Sequence, residues 1–246
     1  MLELIDPDPI LGQPLAHFPS NRLRPMIVAG VIGWPIALVL GLTTAQVTDW
    51  WGPVVTVVIM AIVVLALGWY ILHGWNREIV LYERGFSYRE GSKTVFFRYH
   101  EIASIRLRAE RLVYFGGLLR RNLYRFTVTT TEAERFTITN LYNRAAELGT
   151  KLTEQINRVL QPQIAQKIAD GGTVAFGDTL TLKADGLHEN GRDLLWEQFG
   201  GYQVGGHRLA LLDKTGAIWY ALPLPEVDNV TLLVELLREH QATAQK

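Results

Sequence analysis

The residue types that carry metal binding and acid–base catalysis are sparse and poorly spaced in this sequence. No cysteine is present, which excludes disulfides, thiolate metal sites and thiol catalysis. The pairs His100–Glu101 and His188–Glu189 are adjacent, but neighbouring residues of a strand point to opposite faces, so neither pair forms a dyad. The six histidines form no HExxH or His-x-His pattern; they are His17, His73, His100, His188, His207 and His240. We therefore predict no catalytic residue, no metal site and no cofactor.

One cluster of charged residues has a pattern that suits anion binding. It lies in "IRLRAERLVYFGGLLRRNLYR", where the apolar "FGGLL" separates two basic arms and Glu110 is the single acid. Cations that flank an apolar hairpin tip are suited to an anionic membrane surface, so we predict contact with anionic lipid or phosphate. The alternative is a solvated strand edge whose charges block sheet-to-sheet aggregation. The predicted contact residues are Arg106, Arg108, Arg111, Arg120, Arg121 and Arg125.

Nucleic acid is not a predicted partner. The basic and acidic residues balance to a net charge of zero, so no overall field attracts a polyanion. No motif of base-stacking aromatic residues accompanies the arginines.

Two long apolar runs, residues 26–43 and 53–73, precede this cluster. Asp49, in the connection between them, is the one charged residue from Met26 to Leu72. Runs of about 18–20 helical residues are about 27–30 Å long, which matches the hydrocarbon core of a bilayer. Both runs are apolar on every face, whereas a helix of a soluble domain carries a polar stripe. We predict a transmembrane hairpin over residues 26–75.

The cations around this hairpin predict its orientation. Arg22 and Arg24 precede the first run and Arg77, Arg84, Arg89 and Lys93 follow the second, while the connection has no Lys or Arg. The chain is therefore predicted to be a two-pass protein of the cytoplasmic membrane with both termini cytoplasmic, and residues 1–25 to be a cytosolic tail. Residues 26–43 and 53–72 contain no Asp, Glu, Lys, Arg or His, which favours an anchor over a channel. The predicted interfacial aromatic residues are Trp50, Trp51, Trp69, Tyr70 and Trp75.

The remainder of the chain carries one pattern twice. "LYERGFSYREGSKTVFFRYHEI", residues 81–102, is echoed by "LKADGLHENGRDLLWEQF", residues 182–199, with a leucine and a glycine at the same offsets. Short β-branched and aromatic runs surround each copy, and a segment with helical spacing follows each. The fold class predicted is α+β: the hairpin, then two small antiparallel β modules, residues 76–165 and 172–241, each capped by a C-terminal helix. Residues 161–172 are predicted to join them.

This order of elements resembles an uncharacterised family of prokaryotic membrane proteins. The resemblance is carried by the hairpin, "YERGFSYREGSKTVFFRYHEI", "VAFGDTLTLKADGL" and "LLWEQF", and covers roughly residues 75–240. It implies tandem pleckstrin-homology-like (PH-like) domains, each with a curved seven-stranded sheet and one helix. It implies no activity.

Together these observations predict a membrane-anchored, non-enzymatic binding or scaffolding protein. Its predicted partners are membrane lipids and a protein partner or a second copy of the chain. One alternative is an accessory subunit of a membrane transport or enzyme complex, in which the hairpin packs against other helices. The other, disfavoured, is a hydrolase or transferase with a site between the modules.

Overall fold

A computed structural model describes residues 6–46, 51–114 and 119–244 of the chain, with the side chains of residues 24, 44–46, 109–122 and 243–244 excepted. These residues form two compact units. The first comprises Met1–Phe97 with Asn140–Arg144, and the second comprises Arg98–Thr139 with Ala145–Lys246.

The first unit contains two long apolar helices, α1 (Leu23–Gln46) and α2 (Trp51–Trp75). Both are long and apolar enough to cross a membrane, as predicted, and each extends beyond the predicted run. At most 6% of either span is buried, so neither helix is enclosed by the rest of the described chain. Two of their threonine hydroxyl groups bond within the helix: Thr43 Oγ1 donates to Val39 O at 3.0 Å and Thr56 Oγ1 to Gly52 O at 3.0 Å. Such internal bonding satisfies polar groups where no water is available.

A four-stranded antiparallel sheet completes the first unit, in the order β1 (Pro14–Pro19), β2 (Arg77–Tyr82), β3 (Gly85–Glu90), β4 (Lys93–Arg98). Strand β1 lies within the segment predicted to be a tail. It pairs with β2 from Pro19↔Glu78 to Pro14↔Tyr82, so both helices are inserted between two paired strands. One face of the sheet buries Phe18, Ile79 and Phe86 completely.

The second unit begins with a three-stranded antiparallel sheet of β5 (Ile102–Tyr114), β6 (Leu119–Thr130) and β7 (Arg135–Thr139). Helix α3 (Ala145–Ala169) packs on β5 and β6. Its apolar residues recur every three to four positions and are buried; they are Leu148, Leu152, Ile156, Leu160 and Ile164. The helix continues through Pro162 into the predicted connection, because burial of Ile164 extends the same stripe by another turn.

The rest of the second unit repeats the order in which strands β1–β4, strands β5–β7 and helix α3 follow one another. Four strands form one antiparallel sheet: β8 (Val174–Ala175), β9 (Leu180–Leu182), β10 (Gly186–Glu189) and β11 (Arg192–Leu195). Three more form another: β12 (Phe199–Gly205), β13 (Arg208–Asp213) and β14 (Ile218–Pro223). Helix α4 (Val230–Ala244) follows and buries Leu232, Leu233 and Leu237. In the described residues, four strands, three strands and a helix thus occur twice in sequence order, with α1 and α2 inserted after the first strand of the first set.

Candidate functional site

Two arginines of the predicted cluster lie directly opposite each other on neighbouring strands. Arg108 of β5 pairs in register with Arg125 of β6, and both residues are exposed. Opposite residues of an antiparallel pair have Cβ atoms about 5 Å apart, so this pair concentrates positive charge on one face of the sheet. The same face contains Thr127 and Thr137, which are in register with each other. This surface, the Arg108–Arg125 face, is suited to attract an anion.

Arg106 lies on the same face but has a partner within the protein. Its Nε donates to Asp228 Oδ1 at 2.9 Å and its Nη2 to Asp228 Oδ2 at 3.1 Å. This bidentate hydrogen bond raises the pKa of Arg106. Asp178 lies further away, at 3.9 Å, and is 86% exposed. The guanidinium of Arg106 therefore holds the loop before α4 against β5.

Asn229 makes a second set of contacts between this loop and β5. Its backbone N donates to Ile105 O at 2.9 Å, and its Oδ1 accepts from Ile105 N at 2.9 Å. Its Nδ2 donates to Ala103 O at 3.4 Å. Asn229 is 4% exposed and has a positive φ of 48°, a conformation that asparagine tolerates better than most residues. We call Asp228 and Asn229, with these contacts, the β5 clasp.

The other predicted arginines belong to the same two strands. Arg111 belongs to β5, and Arg120 and Arg121 belong to β6. Their side chains lie outside the described part of the chain, as does the hairpin tip at residues 115–118.

Four of the five predicted interfacial aromatic residues are described, and all four are well exposed: Trp51 by 59%, Trp69 by 69%, Tyr70 by 44% and Trp75 by 39%. Trp50 lies outside the described residues. Trp75 ends α2 and is fixed there, because its Nε1 donates to Arg22 O at 3.4 Å and its carbonyl accepts from Ser20 Oγ at 3.2 Å.

A polar network surrounds the point where α2 meets β2, with Asn76 as the sole connecting residue. Arg77 forms an ion pair with Glu90 and donates from Nη2 to His73 Nε2 at 3.0 Å. Gly91, in the turn between β3 and β4, donates its N–H to Asn76 O at 2.8 Å. The end of the helix is thereby joined to the sheet by contacts that the sequence did not reveal.

His188, one of the two histidines that precede a glutamate in the sequence, has a carboxylate partner on the neighbouring strand. His188 Nδ1 lies 2.7 Å from Asp193 Oδ1 on β11, and Lys183 Nζ lies 3.5 Å from the same oxygen. The hydrogen bond from His188 lowers the pKa of Asp193. The sequence contained a signal for this pair, since a two-residue turn between β10 and β11 places positions 188 and 193 opposite each other. The described residues contain no group of three His, Asp or Glu side chains that could hold a metal ion.

Comparison with known proteins gives a family without an assigned activity. The model of the family of unknown function DUF6585 matches residues 7–246. The chain belongs to this family. No curated protein and no solved structure matches the chain. The DUF6585 match extends over both helices and both halves of the β-rich part, so the whole arrangement described above belongs to one family unit.

Proposed function

We propose that this chain is a membrane-anchored, non-enzymatic binding protein that presents two PH-like modules at the cytoplasmic face of the membrane. The helices α1 and α2 are the anchor, and the Arg108–Arg125 face contacts anionic lipid headgroups. The proposal rests above all on where the helices are inserted.

The insertion point supports an arrangement in which the outer ends of both helices lie on the same side of the membrane. Strand β1 enters α1 and α2 leads into β2, and these two strands are hydrogen-bonded neighbours. Because the strands pair, the start of α1 and the end of α2 are held together at one end of the sheet. Two membrane-spanning helices then form an antiparallel hairpin with both outer ends on one side of the bilayer. The cations Arg22, Arg77 and Arg89 support the cytoplasm as that side.

The order of strands supports the PH-like assignment. Seven strands followed by a helix occur twice, and in each repeat the strands divide into a group of four and a group of three. This is the element count that the resemblance implies for each domain. In the first repeat, the membrane hairpin occupies the connection between the first and second strands.

A shortened chain tests the anchor. Replacing residues 21–76 by Asn-Gly joins Ser20 to Arg77, whose backbone groups are already hydrogen-bonded at 2.9 Å, through a two-residue hairpin turn. The shortened chain is expected to be soluble without detergent and to keep its β-sheet circular dichroism, while the full chain requires detergent. A full chain that is monodisperse in buffer alone would refute the anchor.

The same shortened chain tests lipid contact, since any remaining membrane affinity comes from the β-rich part. We expect it to co-sediment with vesicles that contain anionic phospholipid more than with purely zwitterionic vesicles. Each cation near the surface contributes about 1 kcal/mol, so the double change Arg108→Gln and Arg125→Gln is expected to weaken binding by about 30-fold. Arg238→Gln on α4, also exposed, is the matched control. Equal losses in the control and the double variant would exclude the Arg108–Arg125 face.

The orientation in the membrane can be tested separately. Because the chain has no cysteine, one introduced cysteine can be labelled specifically. Asp178→Cys, at a side chain that is 86% exposed, is expected to react with an impermeant maleimide only after cells are broken open. Labelling of intact cells would show that the opposite orientation is correct.

A further inference from the structure

A groove of about 470 Å³ lies in the second unit, between α3 and strands β5 and β6. This volume falls within the range of small-molecule sites, about 300–1,000 Å³. Its described lining comes from three elements and the start of α4: Leu107, Tyr124, Phe126, Ala146, Gly149, Thr150, Thr153, Glu154, Asn157 and Thr231.

The floor of the groove is apolar and flat. The rings of Tyr124 and Phe126 are stacked at 6.4 Å between centroids with 15° between their planes. Phe126 lies against the helix at Gly149, where an added Cβ would be 1.8 Å from the ring. Helix and sheet approach this closely because α3 has no side chain at that position. These residues alternate along β6 with Arg125, so the groove opens on the face opposite the Arg108–Arg125 face.

The charge of the groove is the reverse of that face. Glu154 is the one side chain among its described lining that is charged at neutral pH, and no described cation lines it. Arg158 Nη2 lies 3.5 Å from Glu154 Oε1, but the two side chains are 67% and 62% exposed. An ion pair this exposed contributes little, so it leaves the carboxylate available to a ligand.

One polar group at the α4 end of the groove lacks a hydrogen bond. Asn157 Nδ2 donates to Thr231 Oγ1 at 2.8 Å, while Asn157 Oδ1 is buried without a partner among the described residues. Rotating the amide exchanges the two atoms, so one of them stays unsatisfied in either orientation. As placed, the free atom is an acceptor, and a ligand that brings a donor to this end would satisfy it.

We propose that the groove binds a small amine with a flat apolar body, such as an aryl-alkyl ammonium ion. The rings of Tyr124 and Phe126 cover the apolar body, and Glu154 pairs with the ammonium group. A carboxylate or phosphate of the same shape is disfavoured, because it would face Glu154 and the described lining of the groove contains no cation. This site does not depend on the proposed contact with anionic lipid.

The test measures binding of phenethylamine to the full chain in nonionic detergent micelles, with hydrocinnamate and phenethyl alcohol as acidic and neutral counterparts. Thr153→Trp fills the groove from the surface of α3, and its circular dichroism and melting temperature verify folding. Partition into micelles is the same for this variant and the parent, so the difference between them is binding to the groove. For a ligand of about nine non-hydrogen atoms we expect a Kd of about 10 mM or tighter.

The ligand's charge provides the decisive comparison. We expect hydrocinnamate to bind about tenfold more weakly than phenethylamine. The change Glu154→Gln is expected to weaken binding of the amine by about two- to fivefold and to leave binding of phenethyl alcohol unchanged. Glu147→Gln, on the same helix outside the groove, is the control and is expected to change neither. The proposal is overturned if Thr153→Trp binds the amine as the parent does, if the acid binds as tightly as the amine, or if no probe binds the groove.

Discussion

Removing the ion pair between Arg106 and Asp228 should destabilise the second unit by more than a surface ion pair can. The two side chains are 30% and 21% exposed, and two charge-assisted hydrogen bonds of 2.9 and 3.1 Å join them. Hydrogen bonds to charged groups contribute about 1.5–3 kcal/mol when partly buried, whereas exposed pairs contribute about 0–1 kcal/mol. We expect Arg106→Ala and Asp228→Ala each to lower the free energy of unfolding by about 2 kcal/mol. The double variant should lose about 2–3 kcal/mol in total, because each single change already removes the interaction.

The assay is thermal or urea unfolding of the full chain in nonionic detergent, followed by tryptophan fluorescence. Arg108→Ala is the matched control: it lies on the same strand and the same face, is exposed, and should cost less than about 0.5 kcal/mol. A coupling energy of about 1–2 kcal/mol between positions 106 and 228 would confirm that the β5 clasp unites the two halves of the second unit. Additive losses would show that the pair contributes no more than a solvated one and would refute the reasoning.

Three further changes probe the same unit. Asn229→Ala removes the side-chain hydrogen bonds to β5 and leaves the buried Ile105 N–H unpaired, so it should cost about 2–3 kcal/mol in the same unfolding assay. Gly149→Ala places a Cβ against the ring of Phe126 and should cost about 1–3 kcal/mol by overpacking, whereas Thr150→Ala, the next residue and exposed, should stay within about 0.5 kcal/mol of the parent. Burial lowers the pKa of His240 below its ordinary value of 6.5, so folding disfavours the protonated ring; stability should fall as the pH drops through about 6.5 and level off below the lowered pKa, and His240→Phe should reduce this loss of melting temperature.

The helices could be predicted from sequence because their signal is local and repeated. From Met26 to Leu72 a single charge interrupts the apolar residues, and no tertiary contact is needed to read that pattern. The duplicated pattern was also readable, and the structure gives a physical reason for the glycine of its second copy. A Cβ at Gly186 would lie 2.2 Å from Leu194 O, so the repeat keeps glycine at the start of β10, where a neighbouring backbone approaches.

Strand β1 was missed because its partner is remote and its ends look like loop. Pro14 and Pro19 bound it, and prolines are read as breakers in a local pattern. Proline is nevertheless compatible with the end of an edge strand, which is the position β1 has in its sheet. The pairing of Pro19 with Glu78 spans both apolar helices, a separation over which no periodicity carries information.

The same limit applies to the arginine cluster. Spacing placed Arg106 and Arg108 on one face of a strand, and the register of β5 with β6 confirms that they share it. The spacing could not reveal that Arg106 binds a carboxylate more than a hundred residues away in the sequence. It also could not reveal that Arg108 lies opposite Arg125. Identical residue types two positions apart therefore have different surroundings, and only the three-dimensional pairing separates the structural cation from the candidate binding ones.

The short junction between α2 and β2 has a mechanical consequence. With Asn76 alone between them, and with Gly91 N–H bonded to Asn76 O, the helix end has little freedom to turn independently of the sheet. Ser20 restrains the other strand at the same level, since its N–H bonds to Arg77 O and its hydroxyl to Trp75 O. A flexible linker would allow the four-stranded sheet many orientations relative to the helices. Here β1 and β2 are both hydrogen-bonded near the helix ends, which restricts that orientation. If α1 and α2 cross a membrane as proposed, these contacts orient the four-stranded sheet relative to it, which an anchor attached at one end of the chain would not do.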